Sequence, residues 1–286
     1  MATDLRTASG ARGEGRSFLK WAGGKTRYAG RLAAAAPEFT GVYREPFMGS
    51  AAVFFELRPE RAVLSDANPE LVTCFQQVAA HPQEVMQLLD AMPNDRDFFA
   101  SVRRQQPANL SDLERAARVI YLNKTSFRGL WRVNRKGEYN VPYGEYDRPY
   151  YNRETLLSAS RALAAATISE MDFESAIKAA DPGDWVYLDP PYIPLGEYSD
   201  FKRYTAGQFH AEDQERLARA MREASSRGVL LTMTNSETPL TREIFAGFDV
   251  FRMATRRDIN LNSAGRGSWD LVFTNYEAHM PEPAAP

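Results

Sequence analysis

Cysteine is almost missing from this 286-residue chain: Cys74 stands alone, so an internal disulfide and a Cys-rich metal site are both excluded. A single thiol of this kind reads as a small buried apolar residue. Histidine is scarce as well. His81, His210 and His279 are scattered without ligand spacing, and no metal is expected. No apolar run approaches the length of a membrane span, and the amino terminus has no apolar signal-peptide core. The expectation is a cytoplasmic protein without a membrane partner. An excess of one charge is absent too: 35 Lys and Arg face 37 Asp and Glu, for a net −2. A general nucleic-acid coat is thereby excluded, and any nucleic-acid binding has to come from local charge asymmetry.

What the chain does contain is an alternation of short apolar runs and helical segments. Residues 1–16 and 277–286 are polar and read as disordered tails. An Ala-rich helix is predicted over 25–36, stopped by Pro37. Gly23-Gly24-Lys25-Thr26 invites a phosphate-loop reading, but Leu19 stands where that motif needs glycine and no strand precedes it. A Gly-Gly-Lys turn opening a helix would still hold a small anion such as a carboxylate. Residues 42–45 read as a strand, 46–50 as a glycine-containing turn, 51–57 as a short helix and 61–65 as a second strand ending in Asp66. A glycine turn after one strand and an acid after the next is a layout for holding a nucleoside, with the acid on the ribose hydroxyls. Asp66-Ala67-Asn68-Pro69 reads equally well as a helix cap.

From residue 70 the pattern turns helical, over 70–80, 83–92 and 111–123, the last opening Ser-Asp-Leu-Glu like a capping box. No strand interrupts it. An all-helical block within an α/β alternation points to an inserted domain, here 70–165, with 17–69 and 166–276 forming the other unit. The block closes with Trp131, Val133, Tyr139 and Val141 flanking Asn134-Arg135-Lys136-Gly137, a hairpin pattern. Between Tyr121 and Arg153, seven basic residues face three acidic ones. Basic residues interleaved with aromatics on a hairpin read either as a nucleic-acid surface or as an ordinary solvated hairpin.

After a helix over 153–165 the alternation resumes. A strand over 167–171 leads to Asp172-Phe173 and a short helix; the apolar run Trp185-Val186-Tyr187-Leu188 then meets Asp189-Pro190-Pro191-Tyr192. Ligands in open α/β sheets gather outside the carboxyl ends of strands. Two prolines remove two backbone donors and stiffen the turn, leaving a carboxylate and carbonyl oxygens as acceptors beside a flat ring. Such a pocket suits a planar group carrying an NH₂, although the same string alone is also an ordinary Asp-Pro turn. A polar loop over 196–207 reads as a lid. A helix over 211–226, a strand over 229–234, a helix after Pro239, strands over 248–253 and 271–275, and a polar loop over 256–266 that would face DNA complete the chain.

Phe18-Leu19-Lys20-Trp21-Ala22-Gly23-Gly24-Lys25, Glu45-Pro46-Phe47-x-Gly49, Asp66-x-Asn68-Pro69, the hairpin ending Gly137-Glu138-Tyr139-Asn140-Val141-Pro142-Tyr143-Gly144, Asp189-Pro190-Pro191-Tyr192 and Thr274-Asn275-Tyr276 occur in this order. Over residues 17–276 the set resembles Dam-type DNA adenine-N6 methyltransferases of the D12 class, alpha group. The resemblance implies a Rossmann-like sheet with an inserted, mostly helical DNA-recognition domain carrying a β-hairpin. It implies S-adenosylmethionine as methyl donor, S-adenosylhomocysteine as product, no metal, double-stranded DNA as partner, and a monomer.

By the same resemblance, Trp21, Lys25, Phe47, Gly49, Asp66, Asp172, Phe173 and Asp189 would bind the cofactor. Asp189, Pro190 and Tyr192 would be catalytic on a flipped adenine, and Lys20, Arg128, Leu130, Arg132 and Pro142 would meet the DNA. Two positions depart from the family pattern. Ala51 stands where a second glycine is usual, so its methyl would crowd the methionine end of the cofactor. Arg128 stands where relatives acting on GATC often carry Asn, so the expected target is GATC or a related short site. An N4-cytosine methyltransferase fits the same pocket, and a catalytically inactive DNA-binding regulator fits the same surface.

Overall fold

The structure, a computed structural model, describes residues 16–134, 136–193, 209–256 and 267–279. The expected lid, most of the loop over 256–266 and most of both tails lie outside them.

Among the described residues, seven strands form one sheet. β1 (Tyr43–Glu45), β2 (Ala62–Asp66), β3 (Ala166–Glu170), β4 (Trp185–Leu188), β5 (Leu230–Ser236), β6 (Asp249–Arg256) and β7 (Gly267–Thr274) lie in the order β3-β2-β1-β4-β5-β7-β6. β1 to β5 pair in parallel, while β7 is antiparallel to both β5 and β6. This is the α/β class expected, with one reversed strand that apolar patterning alone does not orient. All four residues of β4 are buried, as a central parallel strand requires. The chain runs outward from β1 to β3 and, from β4, outward the other way. The carboxyl ends of β1 and β4 therefore flank the switch point, where a crevice opens.

At the opposite end of the sheet, Arg44 and Asp184 pair at 2.6 Å, and Asp184 also accepts the Val42 N–H. A Cβ on Gly41 would come within 2.2 Å of the Asp184 carboxylate, so glycine is required there.

The sheet is flanked by α1 (Ala29–Ala34), α2 (Ala52–Leu57), α8 (Phe173–Lys178), α9 (Ala211–Ser226) and α10 (Pro239–Ile244). Between β2 and β3 lie α3 (Pro69–Ala80), α4 (Pro82–Asp90), α5 (Arg96–Arg104), α6 (Asp112–Thr125) and α7 (Arg153–Leu163). α6 opens with the expected capping box, Ser111 and Glu114 satisfying each other's backbone N–H groups. Its residues Val119 and Leu122 share one buried apolar cluster with Tyr43 and Trp185 of the sheet. α5 was not anticipated; Asp95 caps it by accepting from Phe98, and Phe99 and Val102 face inward.

Two expected elements differ. The helix over 25–36 shrinks to α1, because residues before it form turns: Gly24 N–H bonds Trp21 O, Tyr28 N–H bonds Lys25 O, and Gly23 has φ +82°. Gly-Gly-Lys therefore does not open a helix. Among the described residues the hairpin pairs through isolated bridges rather than two strands, Val133–Tyr139 and, further out, Ser126–Tyr143, with bonds Asn134 N–H to Glu138 O and Asn140 N–H to Arg132 O. Trp131, Tyr139 and Val141 are drawn into the core instead of extending a free ribbon.

Candidate active site

The crevice at the switch point is a cavity of about 280 Å³ whose wall includes Trp21, Lys25, Phe47, Gly49, Asp66, Asp172, Phe173, Asp189, Pro190 and Tyr192. Every residue expected at the cofactor or in catalysis thus lines one space.

One end is aromatic. Phe47 and Phe173 stack at 5.3 Å, Phe209 packs on both, and the Arg216 guanidinium lies 4.3 Å from the Phe173 ring centroid. Asp172 caps α8 through the Glu174 N–H, and its carboxylate is held by Arg216 at 2.7 Å.

The middle belongs to Asp66 at the end of β2. One carboxylate oxygen accepts Gly49 N–H, the other Asn68 N–H, and Asn68 in turn caps α3. The helix-cap and nucleoside readings of this stretch are compatible, because separate residues serve them. Burial pushes the Asp66 carboxyl up to about 6. Glu45, buried at the end of β1, is pushed up to about 8 by burial, while its bond from the Tyr43 hydroxyl at 2.8 Å works the other way. The shift favours the neutral form of Glu45 and so limits the negative charge at the floor of the cavity.

Ala51 is not itself in the wall of this space, although Ser50 and Ala52 on either side are. Its side chain is fully buried in the core, and its backbone is left-handed at φ +49°. The missing glycine costs backbone strain rather than room for a ligand.

At the far end, Lys25 is buried and its ammonium grips both Asp189 oxygens, at 2.6 and 2.8 Å, together with Gly23 O at 2.9 Å. The anion at the Gly-Gly-Lys turn is thus a carboxylate of the chain itself, held by a side chain. Thr234 donates to Asp189 at 2.8 Å. The loop that follows is fixed almost residue by residue. Gln214 donates to Pro191 O, Tyr192 hydroxyl to Asp270, Ile193 N–H to Asn235, and Ser236 hydroxyl to Ile193 O. Asn235 also donates to Gln214, closing the network. Sequence reasoning missed Thr234, Asn235, Ser236, Gln214 and Asp270; the only signal was a polar tail on an otherwise apolar strand at 234–236.

The expected DNA-facing residues gather apart from this floor. Lys20 is exposed, with its ammonium 6.0 Å from the Tyr146 ring, and the Tyr146 hydroxyl accepts the Arg128 N–H. Arg148 stacks on the same ring at 5.0 Å. Arg128 has φ +58°, and beside it Phe127 is 46% exposed. Leu130 is half-buried, Arg132 donates to Asn140, and Pro142 is exposed. Lys124 sits among these cations: burial, then the charges of Lys20 and Arg148, push it down to about 8.

Asn123, fully buried, joins the two regions. It accepts the Lys20 N–H at 2.9 Å and donates to Lys20 O and to Gly129 O. Trp21 stacks on Trp131 at 5.9 Å.

Residues 21–259 match the family of D12 class N6 adenine-specific DNA methyltransferases. The chain is similar to the type II methyltransferase M1.LlaDCHI of Lactococcus lactis subsp. cremoris, 38% identical over 271 residues, or 91% of this chain and 95% of that one. It is 33% identical over 288 residues to the type II methyltransferase M.MjaIII of Methanocaldococcus jannaschii, covering 92% and 100%. A DNA adenine methylase of Vibrio cholerae is 30% identical over 274 residues, covering 94% and 99%.

Proposed function

The chain belongs to the D12 class N6 adenine-specific DNA methyltransferase family, and we propose that its switch-point cavity binds S-adenosylmethionine beside a flipped adenine. Methyl transfer to adenine N6 in DNA is the activity of the chain; the assignment of individual residues to that activity is the proposal. The observation that carries it is the placing of Asp66 and Asp189 in the wall of one cavity, at the ends of strands on either side of β1.

The residues present suit the cofactor. The stacked Phe47 and Phe173 form a slot for a nucleobase, and Asp66 offers acceptors for ribose hydroxyls. Gly49 leaves Trp21 close to the turn, since a Cβ there would lie 2.9 Å from the indole. When bound, the cofactor supplies a methyl group on a sulfonium.

The rest of the chemistry falls to the chain. Adenine N6 is a poor nucleophile because its lone pair is shared with the ring, and it must leave the duplex to be reached. Asp189 and the Pro190 carbonyl accept the two N6 hydrogens and turn the lone pair out of the ring plane. A carboxylate has about four acceptor positions; Lys25 and Thr234 occupy three and fix its orientation, leaving room for N6–H. Tyr192 stacks on the base, worth roughly 1–3 kcal/mol. Positioning two reactants supplies much of the acceleration.

Residues 70–165 serve as the recognition part, with Lys20, Arg128, Leu130, Arg132 and Pro142 at the duplex, and the exposed Phe127 ring suits stacking against bases. The target is GATC or a related short site, and the protein acts as a monomer. Modified-base sequencing of DNA from cells expressing the chain tests this reading. N6-methyladenine confined to one short site is expected. Methyl groups on cytosine N4, or on no base at all, would contradict it.

A further inference from the structure

Methyl transfer leaves one large feature unused: a second cavity of about 640 Å³, walled by the start of α3, the end of α5, α6 and the hairpin. Arg118 of α6 lines it and is only 3% exposed, yet among the described residues its hydrogen bonding is confined to Nε donating to Val102 O. No carboxylate of a described residue lies within ion-pair distance of it. The acid whose charge acts on it, Glu70, is already gripped by Arg115 at 2.6 Å. A buried guanidinium without a counter-ion is costly, by several kcal/mol per ion in typical interiors. Burial accordingly pulls the pKa of Arg118 down. Arg103 and Arg104, both exposed, stand on the same wall, and the flat rings of Trp131 and Tyr139 close it.

We propose that this cavity is an anion site in which Arg118, with Arg103 and Arg104 at its rim, holds a phosphate group. Three guanidiniums around one space suit phosphate, whose oxygens match the planar fork of arginine. Against them stand Glu70, whose Oε1 pairs with Arg115 while Oε2 is buried without a hydrogen bond, and Glu138, which is exposed and bonded to Asn134. The phosphate is supplied either by the DNA backbone or by a free phosphate compound. The hairpin forms one wall and Ala67 lines both cavities, so a duplex read by the hairpin passes close to this site. The DNA source rests on the recognition reading above; the anion site itself does not.

Arg118→Met keeps the apolar stem and removes the charge. Two measurements on the full chain are compared with the parent: the thermal midpoint in inorganic phosphate against chloride at equal ionic strength, and the salt dependence of duplex binding. If the free anion is the ligand, phosphate raises the midpoint of the parent, Arg118→Met loses phosphate affinity at least tenfold, and the salt slope is unchanged. If a backbone phosphate is the ligand, the slope of log K against log salt falls by about one in Arg118→Met. A folded Arg118→Met that matches the parent in both measurements overturns the site. Should Arg118→Met not fold, Arg103→Gln with Arg104→Gln, on the exposed rim, weakens the same readouts, and no change there overturns it as well. Failure of the parent to methylate DNA would count against the catalytic reading and leave the phosphate result standing.

Discussion

Ala51 carries a conformational burden that a glycine would not. At φ +49° a Cβ costs roughly 1–2 kcal/mol. Burying its methyl returns part of that, on the order of 0.8 kcal/mol. Ala51→Gly should therefore leave the thermal midpoint unchanged or raise it slightly, with cofactor affinity within about twofold of the parent. A large gain in affinity would restore the idea that the methyl crowds the ligand.

Asp66 makes a sharper claim at the same scale. Its carboxyl is raised from 3.8 to about 6, so the folded chain holds that proton more tightly than the unfolded chain between those values. Stability from this group falls as pH rises toward 6, because an ionised carboxylate is then buried. Ribose hydroxyls donate to the ionised form, so cofactor affinity should rise with pH and level off above 6. One coupled proton makes the loss roughly tenfold from pH 7 to pH 5. Calorimetry across that range should show it, and Asp66→Asn should bind more weakly with a flat profile. A pH-independent parent would remove Asp66 from the ribose.

At the scale of elements, the loop after β4 depends on neighbours far away in sequence. The Tyr192 ring is steadied by its hydroxyl bond to Asp270 on β7 at 3.1 Å. Asp270→Ala removes that bond and loosens the ring, and single-turnover methyl transfer should fall by about 10–100-fold with duplex affinity unchanged. Asp270→Asn keeps an acceptor and should recover most of the rate. Equal rates in all three proteins would make the contact incidental.

The tetrapeptide itself was plain in the sequence, because prolines after a four-residue apolar run mark a strand end. Its supports were not: a hydrogen bond between residues 78 apart leaves no local pattern. α5 was a different miss, since Asp95 caps it and Phe98, Phe99 and Val102 give the otherwise charged Arg96–Arg104 one apolar side, a helical signal present in the sequence. Spacing could not reveal that β7 inserts antiparallel between β5 and β6, or that Lys25 turns inward to Asp189 instead of opening a helix.

Over the whole molecule, net charge is nearly balanced, yet cations crowd the surface around Lys20, Lys124, Arg128 and Arg148. Burial first, and then that crowding, pushes Lys124 down from 10.5 to about 8. Below pH 8 it is charged at a cost to the fold; stability from this group rises as pH climbs from 8 toward 10.5. Backbone phosphates at this surface would restore the charged form. At pH 8, duplex binding should take up a fraction of a proton, seen as a binding enthalpy that differs between buffers of different ionisation heat. Lys124→Met should abolish the uptake, and at pH 6.5 it should vanish in the parent. Uptake unaltered by Lys124→Met would place the DNA elsewhere.

Asp189 joins the scales, since strand order, the Lys25 grip and the Thr234 bond all converge on it. Asp189→Asn preserves shape but can turn an NH₂ donor toward the adenine NH₂. Single-turnover methylation of adenine at saturating cofactor measures the chemical step alone. The rate should fall by about 10²–10⁴-fold, the scale of a lost positioned acid–base group, while duplex affinity changes little. A folded Asp189→Asn protein that methylates adenine at the parent rate would contradict the account.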